Sequence, residues 1–236
     1  MRIERIGEAT LYLADCRDVL PMLDRQAAIV TDPPYGINYQ HGLRRGGRLM
    51  GTDGMSIMGD DQPFDPAPWL GFSECLFWGA EHFKHHLPSG GRWLVWDKRR
   101  PGVVRDQGCV ENAWHSVGGV TRIFRHPWDG SDMHTERGDV RVHSNQKPVE
   151  LMRWCLDFTT AGCVIDPYMG SGTTVIACGR FLIRCIGIEC DPRCFDIACR
   201  RIEAAQRQGD LFTAFPPADD PEDARMADLF ADLAAD

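Results

Sequence analysis

Residues 162–178 read GCVIDPYMGSGTTVIAC, and the fold is decided here. An apolar run ending at Asp166 predicts a buried strand, Gly170 and Gly172 predict a tight turn, and TTVIAC predicts the start of a helix. Downstream, RCIGIECD (184–191) predicts a second apolar strand ending in acids. The segment PRCFDIACRRIEAAQRQ (192–208) then places Phe195, Ile197, Ala198 and Ile202 on a helical period. Upstream, TLYLAD (10–15) and AAIVTD (27–32) repeat the strand pattern, and CRDVLPML (16–23) suits a short helix. ECLFWGAEHFKHHLPSGGRWLVWDK (74–98) reads strand, helix, strand. Such alternation predicts an α/β domain around a mainly parallel sheet. Residues 40–68 and 99–143 show little periodicity and are expected to be irregular insertions.

A chain of 236 residues can bury one substantial core, and its 43% hydrophobic and 25% charged content is that of an ordinary globular domain. No run reaches the roughly 20 apolar residues of a membrane span, and the opening MRIERIGEAT lacks a signal-peptide core; a cytoplasmic protein is expected. Ten cysteines would then stay reduced. The densest group (Cys185, Cys190, Cys194, Cys199) contains no C-x-x-C pair, so no metal site is expected. The net charge of −8 is concentrated in residues 209–236, which hold eight acids and one arginine. That segment is expected to be a flexible acidic tail behind a domain of residues 1–208. Between residues 40 and 149, 14 Lys/Arg face 13 Asp/Glu, so local basic clusters remain able to meet phosphates.

In open α/β sheets, ligands bind at the carboxyl ends of strands. Asp15, Asp32, Asp166 and Glu189 all fall at such ends. The glycine turn after Asp166 is neither G-x-G-x-x-G nor a phosphate loop, since no G-K-[ST] follows. Glu189, ending the next strand, stands where an acid holds a ribose diol. A nucleoside without a pyrophosphate, such as S-adenosylmethionine, fits this pair; NAD-type binding and simple turn glycines are the alternatives. The stretch Asp32-Pro33-Pro34-Tyr35 adds a stiff loop, because the prolines end the strand at a carboxylate and an aromatic ring.

These motifs together resemble the amino-methylating DNA methyltransferases of the β-ordered subgroup. D-P-P-Y resembles their catalytic loop, DPYMGSGTT (166–174) their cofactor loop, HSNQKPVELMRWC (143–155) their QKP segment and LADCRDVL (13–20) an N-terminal cofactor segment. The likeness spans roughly residues 9–205, with Tyr168 in place of the usual phenylalanine and Ser144-Asn145 in place of Pro-Thr. It implies a Rossmann-like fold with helices on both sheet faces and a permuted motif order. It further implies S-adenosyl-L-methionine as cofactor and methylation of the N6 amine of adenine in double-stranded DNA.

In that reading Asp32 and the Pro33 carbonyl accept the two N–H groups of the amine and release its lone pair from conjugation. Pro34 keeps the loop stiff, and Tyr35 stacks on the flipped base. Asp15 and Cys16 would lie near the adenine, and Glu189 on the ribose. Asp166, Tyr168, Gly170, Ser171, Gly172 and Thr173 would lie beneath the methionine portion, and Lys147 on its carboxylate. Arg44, Arg45, Arg48, Arg99, Arg100, Arg122 and Arg125 are candidate DNA contacts, in recognition segments about 40–60 and 99–143. The turn His126-Pro127-Trp128-Asp129-Gly130 is read as packing for the second segment. Asp32, rather than serine, favours adenine over the alternative, cytosine N4. A non-catalytic DNA- or clamp-binding relative is the rival of a different class, and an NAD-dependent oxidoreductase a more distant one. Relatives in this subgroup often dimerise, so a homodimer is an expectation. Gln208-Gly209-Asp210-Leu211-Phe212 resembles the Q-x-x-L-F peptides that dock on the bacterial sliding clamp.

Overall fold

A computed structural model describes residues 1–38, 58–99, 108–128 and 146–214, with side chains as far as 208. Arg44, Arg45, Arg48 and Arg100, and most of both expected insertions, lie outside the described residues.

Among the described residues, nine strands form one sheet: β1 (Arg2–Ile6), β2 (Ala9–Leu13), β3 (Ala28–Thr31), β4 (Glu74–Trp78), β5 (Arg92–Asp97), β6 (Val110–His115), β7 (Arg122–Arg125), β8 (Cys163–Asp166) and β9 (Arg184–Glu189). Their order is β1-β2-β9-β8-β3-β4-β6-β5-β7. Every neighbouring pair from β2 through β4 is parallel, as is β5 with β7. Only β1 and β6 run against the rest. The carboxyl ends of β2, β9, β8, β3 and β4 therefore open on one rim of the sheet, where the motif residues cluster.

Strand periodicity sorts the core into two layers. Val30, Leu76, Trp78 and Val164 face one side, whereas Ile29, Cys75, Phe77 and Ile165 face the other. The first side is covered by the apolar stripes of α2 (Val149–Leu156), α3 (Thr173–Arg180) and α4 (Pro192–Ala214). Buried Leu151, Met152, Cys155, Val175, Phe195, Ala198 and Ile202 supply that contact. The second side is covered differently. Among the described residues, the short α1 (Cys16–Val19) is the α-helix there, joined by an aromatic group of Phe64, Trp69, Phe72 and Phe83. The expected helix after β4 is reduced to two 3-10 turns, Ala80–His82 and Lys84–His86.

Three strands depart from the sequence expectation. β1 pairs antiparallel with β2, although its first four residues are exposed or only partly buried and carry no core pattern. β6 and β7 lie inside the stretch expected to be irregular. β6 carries the polar residues Glu111, Asn112 and His115, and β7 is an exposed edge; neither presents the apolar run of a central strand. His126 and Trp128 pack rather than reach outward: Trp128 is buried, and Phe124, His126 and Trp128 stack in series. At the other end, α4 continues to Ala214, past the expected boundary at 208. The backbone of the Q-x-x-L-F pentapeptide is thus helical, where docking as an extended peptide would require the helix end to unwind. No helix of the described residues is long and apolar enough to cross a membrane.

Candidate active site

Asp32 follows the last residue of β3, and the extended backbone required before Pro33 aims the loop off the sheet rim. Each oxygen of its carboxylate accepts one donor. The Tyr35 hydroxyl donates to Oδ1 at 2.5 Å, and the Lys147 ammonium donates to Oδ2 at 2.6 Å. Lys147 also lies 3.2 Å from the Tyr35 hydroxyl and 3.1 Å from Glu111 Oε2. Glu111, on β6, takes a second ammonium, Lys98 Nζ at 2.6 Å from Oε1. The result is a ladder of alternating charge: Asp32, Lys147, Glu111, Lys98.

Burial sets the electrostatics of this ladder. It pushes the Asp32 carboxyl above its ordinary range; Lys147 pulls it down and Glu111 pushes it further up. Burial would also raise Glu111, but Lys147 and Lys98 outweigh it and hold that carboxyl down at about 2. For Lys147, burial opposes the charge and the two carboxylates overcome it, so the ammonium is held above its ordinary value. The sequence reading put Lys147 on the carboxylate of a bound methionine group; in this structure it sits on Asp32.

Tyr35 does not project freely. Its ring stacks on His82 with centroids 5.1 Å apart at 18°, leaving one face covered. Gly79 makes room for it: a Cβ there would stand 2.0 Å from Tyr35 Cε1, and its φ of 65° is left-handed. Buried Asp60 holds the loop from the other side, accepting the Gly36 N–H at 2.9 Å. Pro33 is buried and Pro34 half-buried, so the loop is pinned along its length.

The cofactor motif gathers at three neighbouring strand ends. Asp166 is buried and turned inward, accepting the Thr31 hydroxyl at 2.6 Å and the Tyr168 N–H at 3.1 Å. Burial raises its carboxyl to about 6 against those hydrogen bonds. Tyr168 stands edge-on to Phe64 and Trp69, a tolerant aromatic setting for the residue that departs from the motif. Glu189 binds the glycine turn directly, taking the Gly170 N–H on Oε2 at 3.0 Å and the Asp191 N–H on Oε1 at 2.8 Å. Asp15 caps α1 by accepting the Arg17 N–H at 2.9 Å and also pairs with the Arg17 guanidinium. Cys16 is buried beside it.

Ser171 and Thr173 face Arg201 of α4 rather than open space. Its guanidinium reaches the Ser171 carbonyl at 2.5 Å, the Ser171 hydroxyl at 2.8 Å and the Thr173 hydroxyl at 3.5 Å. Gly172 has φ 81°, and a Cβ there would meet Ile202 Cδ1 at 3.0 Å. The turn is therefore clamped from behind by α4.

Of the described candidate DNA contacts, Arg99 is buried, while Arg122 and Arg125 are exposed on the edge strand β7. Sequence reading missed Glu111, Lys98, Asp60 and Arg201. Lys98 stands in the basic cluster 98–100, read only as a candidate phosphate contact; the other three lie in segments with no motif of their own, so nothing local marks them.

Residues 93–200 match the family model described as DNA methylase. A curated relative, the Type II methyltransferase M.Cfr9I of Citrobacter freundii, is 25% identical over 129 residues, covering 47% of this chain and 43% of the relative. The chain therefore spans less than half the length of that relative. Among solved structures, PvuII DNA methyltransferase (cytosine-N4-specific) aligns with a TM-score of 0.53 at 13% identity, over 85% of this chain and 92% of that one. The M1.HpyAVI–SAM complex aligns with a TM-score of 0.49 at 20% identity, over 82% and 99%. The fold is that of the Rossmann-like methyltransferases. Over residues 93–200 the chain is thus similar to the DNA methylase family.

Proposed function

We propose that this protein is a DNA methyltransferase that transfers a methyl group from S-adenosyl-L-methionine to the N6 amine of adenine in double-stranded DNA. The observation that carries the reading is Asp32, a half-buried carboxylate on a proline-stiffened loop at the end of β3, the strand next to the one that leads into the glycine turn. S-Adenosyl-L-methionine, when bound, supplies an electrophilic methyl carbon. The residues fit it. Glu189 is half-buried; Oε1 accepts the Asp191 N–H and the Cys190 thiol, whereas Oε2 accepts only the Gly170 N–H, which leaves a lone pair for a ribose hydroxyl. Asp15 and Cys16 lie at the adjoining end of β2 for the adenine, and the 166–173 turn stands ready for the methionine portion.

On the substrate side, Asp32 and the Pro33 carbonyl supply two acceptors for an exocyclic amine. Drawing both N–H bonds toward them frees the nitrogen lone pair, so no strong base is required. Tyr35, backed by His82, offers its other face to a base rotated out of the duplex. Arg122 and Arg125 are the described cations best placed for backbone contacts, being exposed.

The experiment is methyl transfer from labelled cofactor into DNA, followed by digestion to nucleosides. N6-methyl-2′-deoxyadenosine in the digest supports the proposal, N4-methyl-2′-deoxycytidine replaces its base assignment, and no incorporation refutes it. Asp32→Ala should lose methyl transfer by at least ~100-fold while retaining cofactor binding by calorimetry; turnover in that variant would overturn the role of Asp32. A homodimer and a clamp contact through residues 208–212 are further proposals, read from the resemblance alone. Equal recovery on immobilised clamp of the wild type and the Leu211→Ala, Phe212→Ala double variant would end the second.

A further inference from the structure

Both oxygens of Asp32 are occupied, Oδ1 by the Tyr35 hydroxyl and Oδ2 by the Lys147 ammonium. An ammonium has three donors, and Lys147 has three oxygens within reach: Asp32, Tyr35 and Glu111. An amine that docks on Asp32 either takes a lone pair beside these donors or displaces one of them. Glu111 gives the displaced charge somewhere to go. We propose that Glu111, itself neutralised by Lys98, is a positioning residue that shares the Lys147 ammonium with Asp32 and retains it when a substrate amine takes its place. The proposal rests on the methyltransferase reading, because it needs Asp32 to receive an amine.

The geometry is built from four separate segments. Glu111 pairs with Trp96 across the antiparallel β5–β6 ladder, which brings Lys98, just beyond β5, onto the same rim. Lys147 arrives from the segment before α2, and Asp32 from the end of β3. Tyr35 and, beneath the loop, buried Asp166 with Thr31 are the other polar groups facing Asp32. Glu81 faces Tyr35 from the 3-10 turn after β4. Within this set Lys98 touches Glu111 alone among the carboxylates, so its contact with the ladder runs through Glu111 and Lys147.

Two substitutions should therefore move Asp32 in opposite directions. Glu111→Gln leaves Asp32 as the sole anionic partner of Lys147 and removes a repelling charge, so its titration should shift down by about one unit. Lys98→Met leaves Glu111 dependent on Lys147, drawing the ammonium away, so Asp32 should shift up; Lys98→Arg should restore the wild-type value. The carboxyl carbon of Asp32, followed by NMR in protein labelled at aspartate and assigned by its loss in Asp32→Asn, reads this without turnover. The acid limb of methyl transfer should move with it. Shifts of the same sign, or none, overturn the proposal. If Lys98→Met does not fold, Glu111→Gln decides alone, and Asp32 titrating at or above its wild-type value refutes it. An inactive wild-type protein with opposite shifts would sink the methyltransferase reading while leaving the shared ammonium intact.

Discussion

Gly172 answers to two constraints at once. Its left-handed φ disfavours any side chain, and α4 lies so close that a methyl group would press on Ile202 and Ala198. Gly172→Ala should cost about 1–3 kcal/mol of stability and weaken cofactor binding together, as denaturant titration and calorimetry would show. The sequence reading gave this glycine to the ligand; packing against α4 is an equal reason for it. Asp166 makes a different residue-scale prediction. Its folded value of about 6 lies above the ordinary value of 3.8, so the folded state binds the extra proton between those limits. Its contribution is therefore most favourable below pH 3.8 and is lost as pH rises through 6. The difference in unfolding free energy between wild type and Asp166→Asn should change by roughly 3 kcal/mol across that window. A flat difference would mean that the buried carboxyl titrates normally.

Among elements, α4 acts as a clamp as well as cover for the sheet. Arg201 makes charge-assisted hydrogen bonds to Ser171, and the turn it holds is the one that presents Gly170 to Glu189. Arg201→Met should raise the cofactor Kd by about 10-fold, through a loss of 1–2 kcal/mol in fixing the turn, with the melting temperature nearly unchanged. Equal loss of stability and binding would make Arg201 merely a core support. β6 is the other element with a double duty. Ala113 and Trp114 pack in the core, whereas Glu111 near its start reaches the rim. Because β6 runs against β4, its beginning lies at the carboxyl end of its neighbours, which alone lets a β6 residue join the site.

At the scale of the whole molecule, one sheet carries both halves of the site on a single rim. Cofactor binding should therefore stabilise the fold as a unit. At 100 times the Kd, S-adenosyl-L-methionine should add about 2.7 kcal/mol, or roughly 5–10 °C in Tm. Asp32→Ala should keep that shift and Glu189→Ala should lose most of it, in thermal melts with and without cofactor. The reverse pattern would exchange the assignments of the two acids.

Much of this architecture was open to reading before any coordinates. Strands β2, β3, β4, β5, β8 and β9 are near-continuous apolar runs because a parallel sheet buries both faces, and such runs announce themselves locally. The Asp32-Pro33-Pro34-Tyr35 loop and the glycine turn are equally local, since their backbone demands are met by particular residues in sequence. Strands β1, β6 and β7 were not legible: their residues acquire a strand identity only from the neighbour they pair with. Nor was the ladder from Asp32 to Lys98, whose members stand far apart in the chain and meet because the sheet folds their strand ends together. The amino-acid sequence determined which loops could carry the chemistry, through proline, glycine and apolar period. Tertiary structure decided which charges face one another there, because an ion pair depends on distance in space and leaves no period in the chain.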